Sequence, residues 1–531
     1  MNTKAFKFLN LALIIGSVLF ISHPNSFAQQ AEQPTANPPP LPTEELPAGS
    51  QVLTRGPVHE AFAKPVSMDP QAPIIVPNQP PANLEEVPPS EKPAGADIVW
   101  VPGYWAWDAD RNDFIWVSGC WRNAPPNTYW VPGHWLQVDT GWEWLGGFWK
   151  PIEAGAQQEI EYLPAPPASF EVESPGSPPQ SDQIWVPGCW YWSQGGFVPR
   201  HGYWITEQVG WTWVPSHYAW TPRGYIFCQG HWDYDLDNRG VLFTPAYFPP
   251  NVLRSGFVFS PSVCVDLGML RLNLFTYPRY RHYYFGDYYD DGYRRVGIFP
   301  WYQCQTIHTW YDPLFVYDRW HFQKTDPHWA ADQARQFALL RSNRDLRPAR
   351  TLADLQTQMS RLPANRRPER PLVESVKTYA ASQSTPVKFE RITASERQQI
   401  AVKSTDVRQL RNQRSQWEGP ATKGSSETKQ TRVVENKPKP EASPNGPGSQ
   451  ATTKPAREVR PPTVSSLPAV RVTQPERVVV ANPPSMPKAS ESRYIQKEPP
   501  SHPQQERIRS EPASTRGSAG GESQRGKRQG E

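Results

Sequence analysis

The chain has 531 residues, of which 20% are charged, 62 are proline and 23 are tryptophan, and its formal net charge is +4. All of the tryptophans except Trp417 lie between Trp100 and Trp329, whereas the prolines lie mostly outside that range. This uneven composition excludes a simple division into three or four equal domains and predicts one folded region over roughly residues 96 to 345.

The first 28 residues have the pattern of a signal peptide. Lys4 and Lys7 form a short basic region, residues 8–21 form an apolar run, and Ala28 ends a small-residue cleavage site. We expect an exported protein that starts near Gln29 and is periplasmic, bound to the cell surface or secreted. The alternative is an uncleaved anchor, although about 14 apolar residues fall short of the roughly 20 that span a bilayer.

Two segments rich in proline are predicted as spacers. Residues 29–95 and 151–183 contain runs of Pro, Ala and Glu, a composition that favours solvated polyproline II over a packed core. The first is predicted as a disordered spacer and the second as a linker. They flank two tryptophan-rich blocks, residues 96–150 and residues 184–259.

A hexapeptide of the form Trp-Val-Pro-Gly-x-Trp recurs within these blocks, at spacings that indicate one small supersecondary unit used many times. Full copies lie at residues 100–105, 116–121, 130–135, 144–149 and 185–190, and degenerate copies begin at Trp213 and Phe243. Short aromatic and β-branched runs on both sides of each motif predict strands.

The centre of each motif is predicted to be a turn. The turn residues are Pro102, Gly103, Gly119, Pro132, Gly133, Gly147, Pro187 and Gly188. Either the Pro-Gly pair closes a tight hairpin with Trp100 opposite Trp105, or it forms a corner, because Pro-Gly favours a type II turn whose twist does not match a tight hairpin. A positive φ is expected at Gly103, Gly133 and Gly188. Both alternatives give a mainly β fold of tandem antiparallel β-meander modules, followed by a short helical segment and long disordered regions.

The repeats resemble the bacterial WXXGXW (also written YXWGXW) repeat family, whose units occur in tandem in exported proteins, often beside proline-rich segments. The five full copies match the motif, and the copies at Trp213 and Phe243 depart from it. The resemblance implies export and a repeat-built β structure, and it implies no chemistry.

The second half of the chain changes character twice. Residues 260–325 are rich in Tyr and Arg and are predicted to be β or irregular, and residues 326–362 are predicted to be helical. Asp326-Pro327 is expected to cap the first helix, whose buried face is Trp329, Gln333, Phe337 and Leu340, and Thr351 is expected to cap a second.

Residues 363–531 are predicted to be a basic disordered tail with a helical stretch near residues 395–417. From residue 361 onward the net charge is about +14, against about −10 for the preceding part. Such a tail suggests an anionic polymer as a partner, such as nucleic acid, an acidic glycan or a membrane surface. No specific nucleic acid is expected, since export makes a Tyr-rich surface the better explanation of residues 279–295.

No catalytic residue, cofactor site or metal site can be named from the sequence. His134, His201, His217 and His231 lie near repeat turns without zinc-ligand spacing and are expected to be exposed. Asp287, Asp290 and Asp291 lack the calcium-loop spacing and are expected to form a solvated acidic turn. The five cysteines are far apart in sequence. Cys120 and Cys189, at the same motif position, are either small buried fillers or a bridge.

The aromatic residues suggest a binding surface, because pairs spaced i, i+2 lie on one face of a strand. The candidate residues are Trp105, Trp107, Trp142, Trp144, Trp190, Trp192, Trp211 and Trp213. The alternative is that most of these rings form the core.

The sequence therefore predicts a non-enzymatic exported structural or interaction protein of the cell envelope. Its partners are envelope proteins or polysaccharide, and the alternative function is a module that binds cell-wall or extracellular polysaccharide. An envelope hydrolase is disfavoured because no acid, base or nucleophile constellation is visible.

Overall fold

The computed structural model describes residues 45–95, 97–152, 160–254, 257–306, 309–363, 370–382 and 387–419. The predicted signal peptide, residues 1–28, and the predicted disordered tail beyond residue 419 lie outside the described residues. All described residues belong to one compact unit.

Residues 45–95 are part of the fold, so the prediction of a disordered spacer is wrong for this range. They supply six short strands, each of which pairs with a later part of the chain: β1 (Gln51–Val52), β2 (Gly56–Pro57), β3 (Val66–Ser67), β4 (Ile75–Val76), β5 (Glu85–Glu86) and β6 (Glu91–Pro93). The apolar residues between the prolines, such as Val58, Phe62 and Val87, are buried. They reach cores that distant strands build, which local composition does not reveal.

The tryptophan-rich blocks fold into four modules, A to D, and each module is one antiparallel hairpin whose two arms bend midway. In every module the two outer strands pair with each other, and so do the two inner strands. Module A comprises β7 (Ile98–Val101), β8 (Tyr104–Asp108), β9 (Asp113–Val117) and β10 (Cys120–Asn123). Module B comprises β11 (Thr128–Val131), β12 (His134–Val138), β13 (Gly141–Leu145) and β14 (Phe148–Pro151).

Modules C and D repeat this plan and confirm the predicted fold class of tandem antiparallel β modules. Module C comprises β15 (Gln183–Val186), β16 (Cys189–Ser193), β17 (Gly196–Arg200) and β18 (Tyr203–Thr206). Module D comprises β19 (Trp211–Val214), β20 (His217–Thr221), β21 (Gly224–Cys228) and β22 (His231–Tyr234).

The repeated motif lies at the bend of each arm, and two copies lie side by side in every module. Trp100 is opposite Trp121, and Trp105 is opposite Trp116. The Pro-Gly pair is therefore a corner between an outer and an inner strand, and the hairpin alternative is wrong. All eight predicted turn residues lie at such corners.

The motif glycines do not have a positive φ, so that prediction is also wrong for Gly103, Gly133 and Gly188. Left-handed residues occur instead in the inner turns, where the chain reverses. In module C these are Gln194 (φ 51°) and Gly195 (φ 80°).

The chain continues with short strands and helices that pack around the modules. The strands are β23 (Gly240–Val241), β24 (Ala246–Tyr247), β25 (Val258–Phe259), β26 (Val263–Val265), β27 (Leu274–Tyr277), β28 (His282–Phe285), β29 (Phe299–Pro300), β30 (Trp310–Tyr311), β31 (Val373–Ser375) and β32 (Phe389–Arg391). The α-helices are α1 (Leu267–Leu272), α2 (Asp291–Val296), α3 (Pro313–Gln323), α4 (Trp329–Ser342), α5 (Leu352–Arg361), α6 (Val376–Ala381) and α7 (Ala394–Glu418). The degenerate motif copy at residues 243–248 connects β23 to β24 and forms a third arm beside β10 and β9 of module A.

The tyrosines of the Tyr/Arg-rich segment belong to the main core, whereas Arg279, Arg294 and Arg295 are exposed. The strands β27 and β28 carry Phe275, Tyr283 and Tyr284 into an apolar cluster with Phe62 and Trp301. Helices also occur earlier than predicted. Among them, α3 begins at the pair Asp312-Pro313, and the Asp312 side chain accepts a hydrogen bond from the Phe315 N–H.

The helices of residues 326–362 lie near the predicted positions. Helix α4 buries Trp329, Gln333, Phe337 and Leu340, as the spacing predicts. It begins at Trp329, two residues later than expected, although the Asp326 side chain accepts a hydrogen bond from the His328 N–H, as a capping side chain does. The Thr351 side chain caps α5.

Helix α7 lies in the predicted tail, so the prediction of disorder is wrong for the described residues 370–382 and 387–419. The helix matches the stretch that the sequence indicated, and a capping box of Thr393 and Glu396 starts it. Its Leu410 is buried with Val131 and Phe148 of module B. In the described part of the chain, no helix has both the length and the apolar character needed to cross a bilayer.

The corner geometry predicts that Gly103→Ala destabilises the protein by about 2 kcal/mol or more, because overpacking of this kind forces its surroundings to move. A Cβ at Gly103 would lie 2.4 Å from the Val117 carbonyl oxygen and 2.7 Å from the Trp116 indole. The matched control is Gly196→Ala, because a Cβ there meets no atom within 4 Å. We expect the control to change the free energy of unfolding by less than about 0.5 kcal/mol in a urea titration. Equal effects at the two sites would show that the corners are loose.

Candidate binding sites of the repeat modules

Cross-strand tryptophan pairs form the centre of each module. The opposed rings meet edge to face or tilted, with centroids 5.1 to 5.6 Å apart. The pairs are Trp100–Trp121 and Trp105–Trp116 in module A, Trp130–Trp149 and Trp135–Trp144 in module B, Trp185–Trp204 in module C and Trp213–Trp232 in module D. Such pairs contribute about 0.5 to 1.5 kcal/mol each beyond the burial of their area.

Each pair also explains why the motif needs a glycine. The first tryptophan of one copy lies on the glycine of the opposite copy, so that a Cβ on Gly119 would be 2.5 Å from Trp100 Cζ2, and a Cβ on Gly147 would be 2.4 Å from Trp130 Cζ2. The spacing from tryptophan to glycine is therefore fixed by contact between the two arms. The same contact identifies the second copies of modules C and D at residues 199–204 and 227–232, which lack the first tryptophan.

The eight candidate surface tryptophans do not form one surface. Trp105, Trp107 and Trp144 are buried. The other five are half-buried and belong to separate parts of the fold: Trp142, Trp190, Trp192, Trp211 and Trp213. The alternative that these rings form the core is therefore correct for Trp105, Trp107 and Trp144.

A glutamate from the segment before the repeats fills the bend of module A. The Glu86 carboxylate accepts hydrogen bonds from the N–H groups of Gly103 (2.7 Å) and Gly119 (3.0 Å) and from Trp116 Nε1 (3.0 Å). Glu86 is 3% exposed. Burial raises its pKa, while the three donors and Arg408 oppose that rise. One side chain thus satisfies both motif glycines.

In modules B and C other glutamates lie at the bend, and the carboxylate of each accepts a hydrogen bond from the N–H of one motif glycine. In module B, Glu60 accepts from the Gly147 N–H (2.9 Å) and from Trp144 Nε1 (3.3 Å). In module C, Glu171 of the predicted linker accepts from the Gly202 N–H (2.7 Å). We call residues 56–62, 84–88 and 168–172, which carry these glutamates, the straps.

Module D supplies its own acceptor. Ser216 stands where the other motif copies have glycine, and its hydroxyl accepts a hydrogen bond from the Gly230 N–H (2.9 Å). The Tyr191 hydroxyl of module C lies 3.0 Å from the same oxygen. In module D the serine hydroxyl therefore takes the place of a strap glutamate as the acceptor.

Helix α7 binds the carbonyl side of the bends. Arg411 donates to the Gly103 carbonyl (3.2 Å), and Arg414 donates to the Pro132 carbonyl (2.6 Å). Burial lowers the pKa of Arg411 to about 10. Arg414 is 1% exposed and pairs with Glu418 on the same helix. Modules A and B are thus held by a carboxylate on one side and a guanidinium on the other.

The predicted exposed histidines and acidic turn are only partly at the surface. His134 and His217 are buried, and His231 is half-buried, whereas His201 is exposed. Burial lowers the pKa of His217 to about 3. The three aspartates pair with arginines in the last turn of α4 and after it, and Asp287 is buried. Within the described ranges, no group of three or more His, Cys, Asp or Glu side chains could hold a metal ion.

A cleft of about 710 Å³ lies between module C, β30 and α3. Its walls include the half-buried rings of Trp185, Trp204 and Trp310, together with Trp320, and its polar groups include Arg319. Sequence reasoning did not identify this cleft, because β30 and α3 lie more than a hundred residues from the motif that they face.

The buried carboxyl of Glu207 lies near the cleft. Its charge interacts with Tyr311 and Lys324, which line the cleft. Burial raises the pKa of Glu207 to about 8, and its two oxygens have no hydrogen-bond partner in the described part of the chain.

Comparison with known proteins identifies the repeats. The family model described as WXXGXW repeat (2 copies) matches residues 99–122, 111–136, 181–204 and 209–233. The chain therefore carries WXXGXW repeats. Three of the four matches coincide with modules A, C and D, so two copies of the motif make one bent hairpin. No curated protein and no solved structure matches the chain.

The geometry of module A predicts that Glu86→Ala destabilises the protein by about 3 kcal/mol or more, because three buried donors lose their acceptor. The matched control is the neighbouring Glu85→Ala. Glu85 pairs with Arg408 and is partly exposed, and such pairs contribute about 1 kcal/mol or less. Urea unfolding followed by tryptophan fluorescence measures both variants. A Glu86→Ala loss no larger than that of the control would contradict the role given to this carboxylate.

Proposed function

We propose that the protein is a non-enzymatic, exported scaffold of the bacterial cell envelope, whose aromatic β modules form a structural or interaction surface. The observation that carries this proposal is the repeated bend, at which motif donors bind glutamates from chain segments outside the modules. Three straps are held in this way, and helix α7 is held at the same bends by arginines that donate to motif carbonyls. The module is thus suited to binding extended chain segments.

Export is supported by the N-terminal pattern. All five cysteines are buried and none is in a disulfide. Burial raises the pKa of Cys189 to about 12 and that of Cys228 to about 11, which suppresses the reactive thiolate. Burial thus protects the thiols from oxidation, and they are compatible with either a reducing or an oxidising compartment. We also propose that the basic tail contacts anionic polymers of the envelope.

Intact-mass measurement on protein from the native cell tests the location. Because Lys4, the apolar run and Ala28 together form a processing signal, we expect a mature chain that begins near Gln29 and is found outside the cytoplasm. A chain that keeps Met1 and remains in the cytosolic fraction would contradict the proposal of an exported scaffold.

Binding of a polysaccharide is the second candidate function, and the cleft between module C and α3 favours it. Half-buried tryptophan rings can stack on sugar rings, while Gln183, Arg319 and Gln323 offer hydrogen bonds at the same walls. A concave site with aromatic walls and a few polar groups is typical of small-ligand binding.

Polysaccharide binding predicts that Trp310→Ala weakens the retention of the protein on peptidoglycan or acidic polysaccharide by about 3-fold to 10-fold, because one stacking ring is lost. The control is Trp192→Ala. Trp192 is also half-buried, but it belongs to module C and lies outside the cleft. Cosedimentation with the insoluble polymer measures both. Retention that is absent in the wild type, or equally reduced in the two variants, would count against the cleft as a glycan site.

A further inference from the structure

In the hydrogen bonds between module C and its strap, the module supplies the donors and the strap supplies the acceptors. Trp190 Nε1 donates to the Ala168 carbonyl (3.0 Å). Trp185 Nε1 donates to the Glu171 carbonyl (3.0 Å), and the Gly188 N–H donates to the same oxygen (3.4 Å). The module therefore presents a row of hydrogen-bond donors to a segment that turns at Glu171 (φ 50°).

Two side chains of the strap give this contact its specificity. The Glu171 carboxylate accepts from the Gly202 N–H (2.7 Å) and lies 2.9 Å from His201 Nδ1. These donors hold the pKa of Glu171 below its ordinary value, with His201 as the main cause. The preceding Phe170 packs edge to face on Trp190, with centroids 5.0 Å apart, and on His201 at 5.9 Å.

Unlike the other straps, this one lies at the surface. The Glu171 side chain is 41% exposed and that of His201 is 76% exposed, whereas the Glu60 side chain is 2% exposed. The strap lies in an irregular segment between Leu163, which pairs with Tyr225, and β15. Its Ala168 and Glu171 are exposed, and only Val172 packs against a buried cluster, that of Val66, Met68 and Tyr311. Release of residues 168–171 from module C therefore leaves the buried clusters in place.

We propose that module C is a docking site for a peptide of a partner protein in which a glutamate directly follows an aromatic residue, that this peptide turns at its glutamate as the strap does at Glu171 (φ 50°), and that residues 168–172 occupy the site in cis. This inference rests on the proposed function of an interaction scaffold and names the class of partner. Because the strap is tethered to module C, it competes with a partner peptide at an effective concentration in the millimolar range. The partner peptide therefore binds only after it has displaced the strap.

The test uses the full mature chain with Phe170→Ala and Glu171→Ala, which disables the strap, and a labelled peptide of residues 164–175 added in trans. We expect fluorescence anisotropy to show saturable binding to this variant, and binding to the wild type at least about 10-fold weaker because of competition in cis. A peptide with Glu171→Gln should bind the variant at least about 10-fold more weakly, since hydrogen bonds to a charged acceptor are the stronger ones.

Circular dichroism and thermal unfolding establish that the variant is folded. Where the double variant does not fold, the single change Glu171→Gln replaces it. No binding by a folded variant, or equal binding of the Gln peptide, overturns the inference. A wild-type dimer that the peptide splits into monomers would identify a second copy as the occupant and overturn it as well. The export measurement is independent of these outcomes, so failure of peptide binding leaves the exported scaffold standing.

Discussion

The need to satisfy the N–H groups of the motif glycines at each bend controls the rest of this structure. At each bend the outer strand pair ends and the inner strand pair begins, so the ladder of hydrogen bonds between the two arms is interrupted. In module A this leaves the N–H groups of Gly103 and Gly119 in a buried space. Buried backbone donors must find an acceptor. Glu86 provides one and accepts from an indole as well. The segments before and between the repeats are ordered because they carry these carboxylates.

The motif itself follows from contact between two copies. The ring of the first tryptophan covers the opposite glycine so closely that any side chain would collide with it. The second tryptophan pairs across the inner strands. A single copy has neither contact, which explains why two copies form one unit. Where Ser216 replaces glycine, the opposite copy begins with Phe227 and has no first tryptophan, and the serine hydroxyl replaces the missing strap.

Periodicity predicted much of the secondary structure but little of the assembly. The aromatic i, i+2 pattern indicated strands, and the buried face of α4 was predicted residue by residue, because both signals are local. The choice between hairpin and corner at Pro102-Gly103 stayed open, since it depends on which strand pairs with which. The roles of Glu60, Glu86 and Arg414 had no local signal, because their partners are between 17 and 282 residues away in sequence. Each of these residues looked like a solvated charge in a proline-rich or basic segment.

The limits of the folded unit follow from the same interactions. The tryptophans alone suggest a fold over residues 96–345, but such a fragment lacks Glu60 and Glu86 on one side of the bends and Arg411 and Arg414 on the other. A bend that loses its carboxylate keeps buried donors without an acceptor, and this costs about 1 to 3 kcal/mol for each group. Modules A and B would each lose both partners, a penalty comparable with the whole stability of a typical domain. The folded unit therefore extends at least from the first strap to the end of α7, and the composition boundary at residue 96 lies inside it.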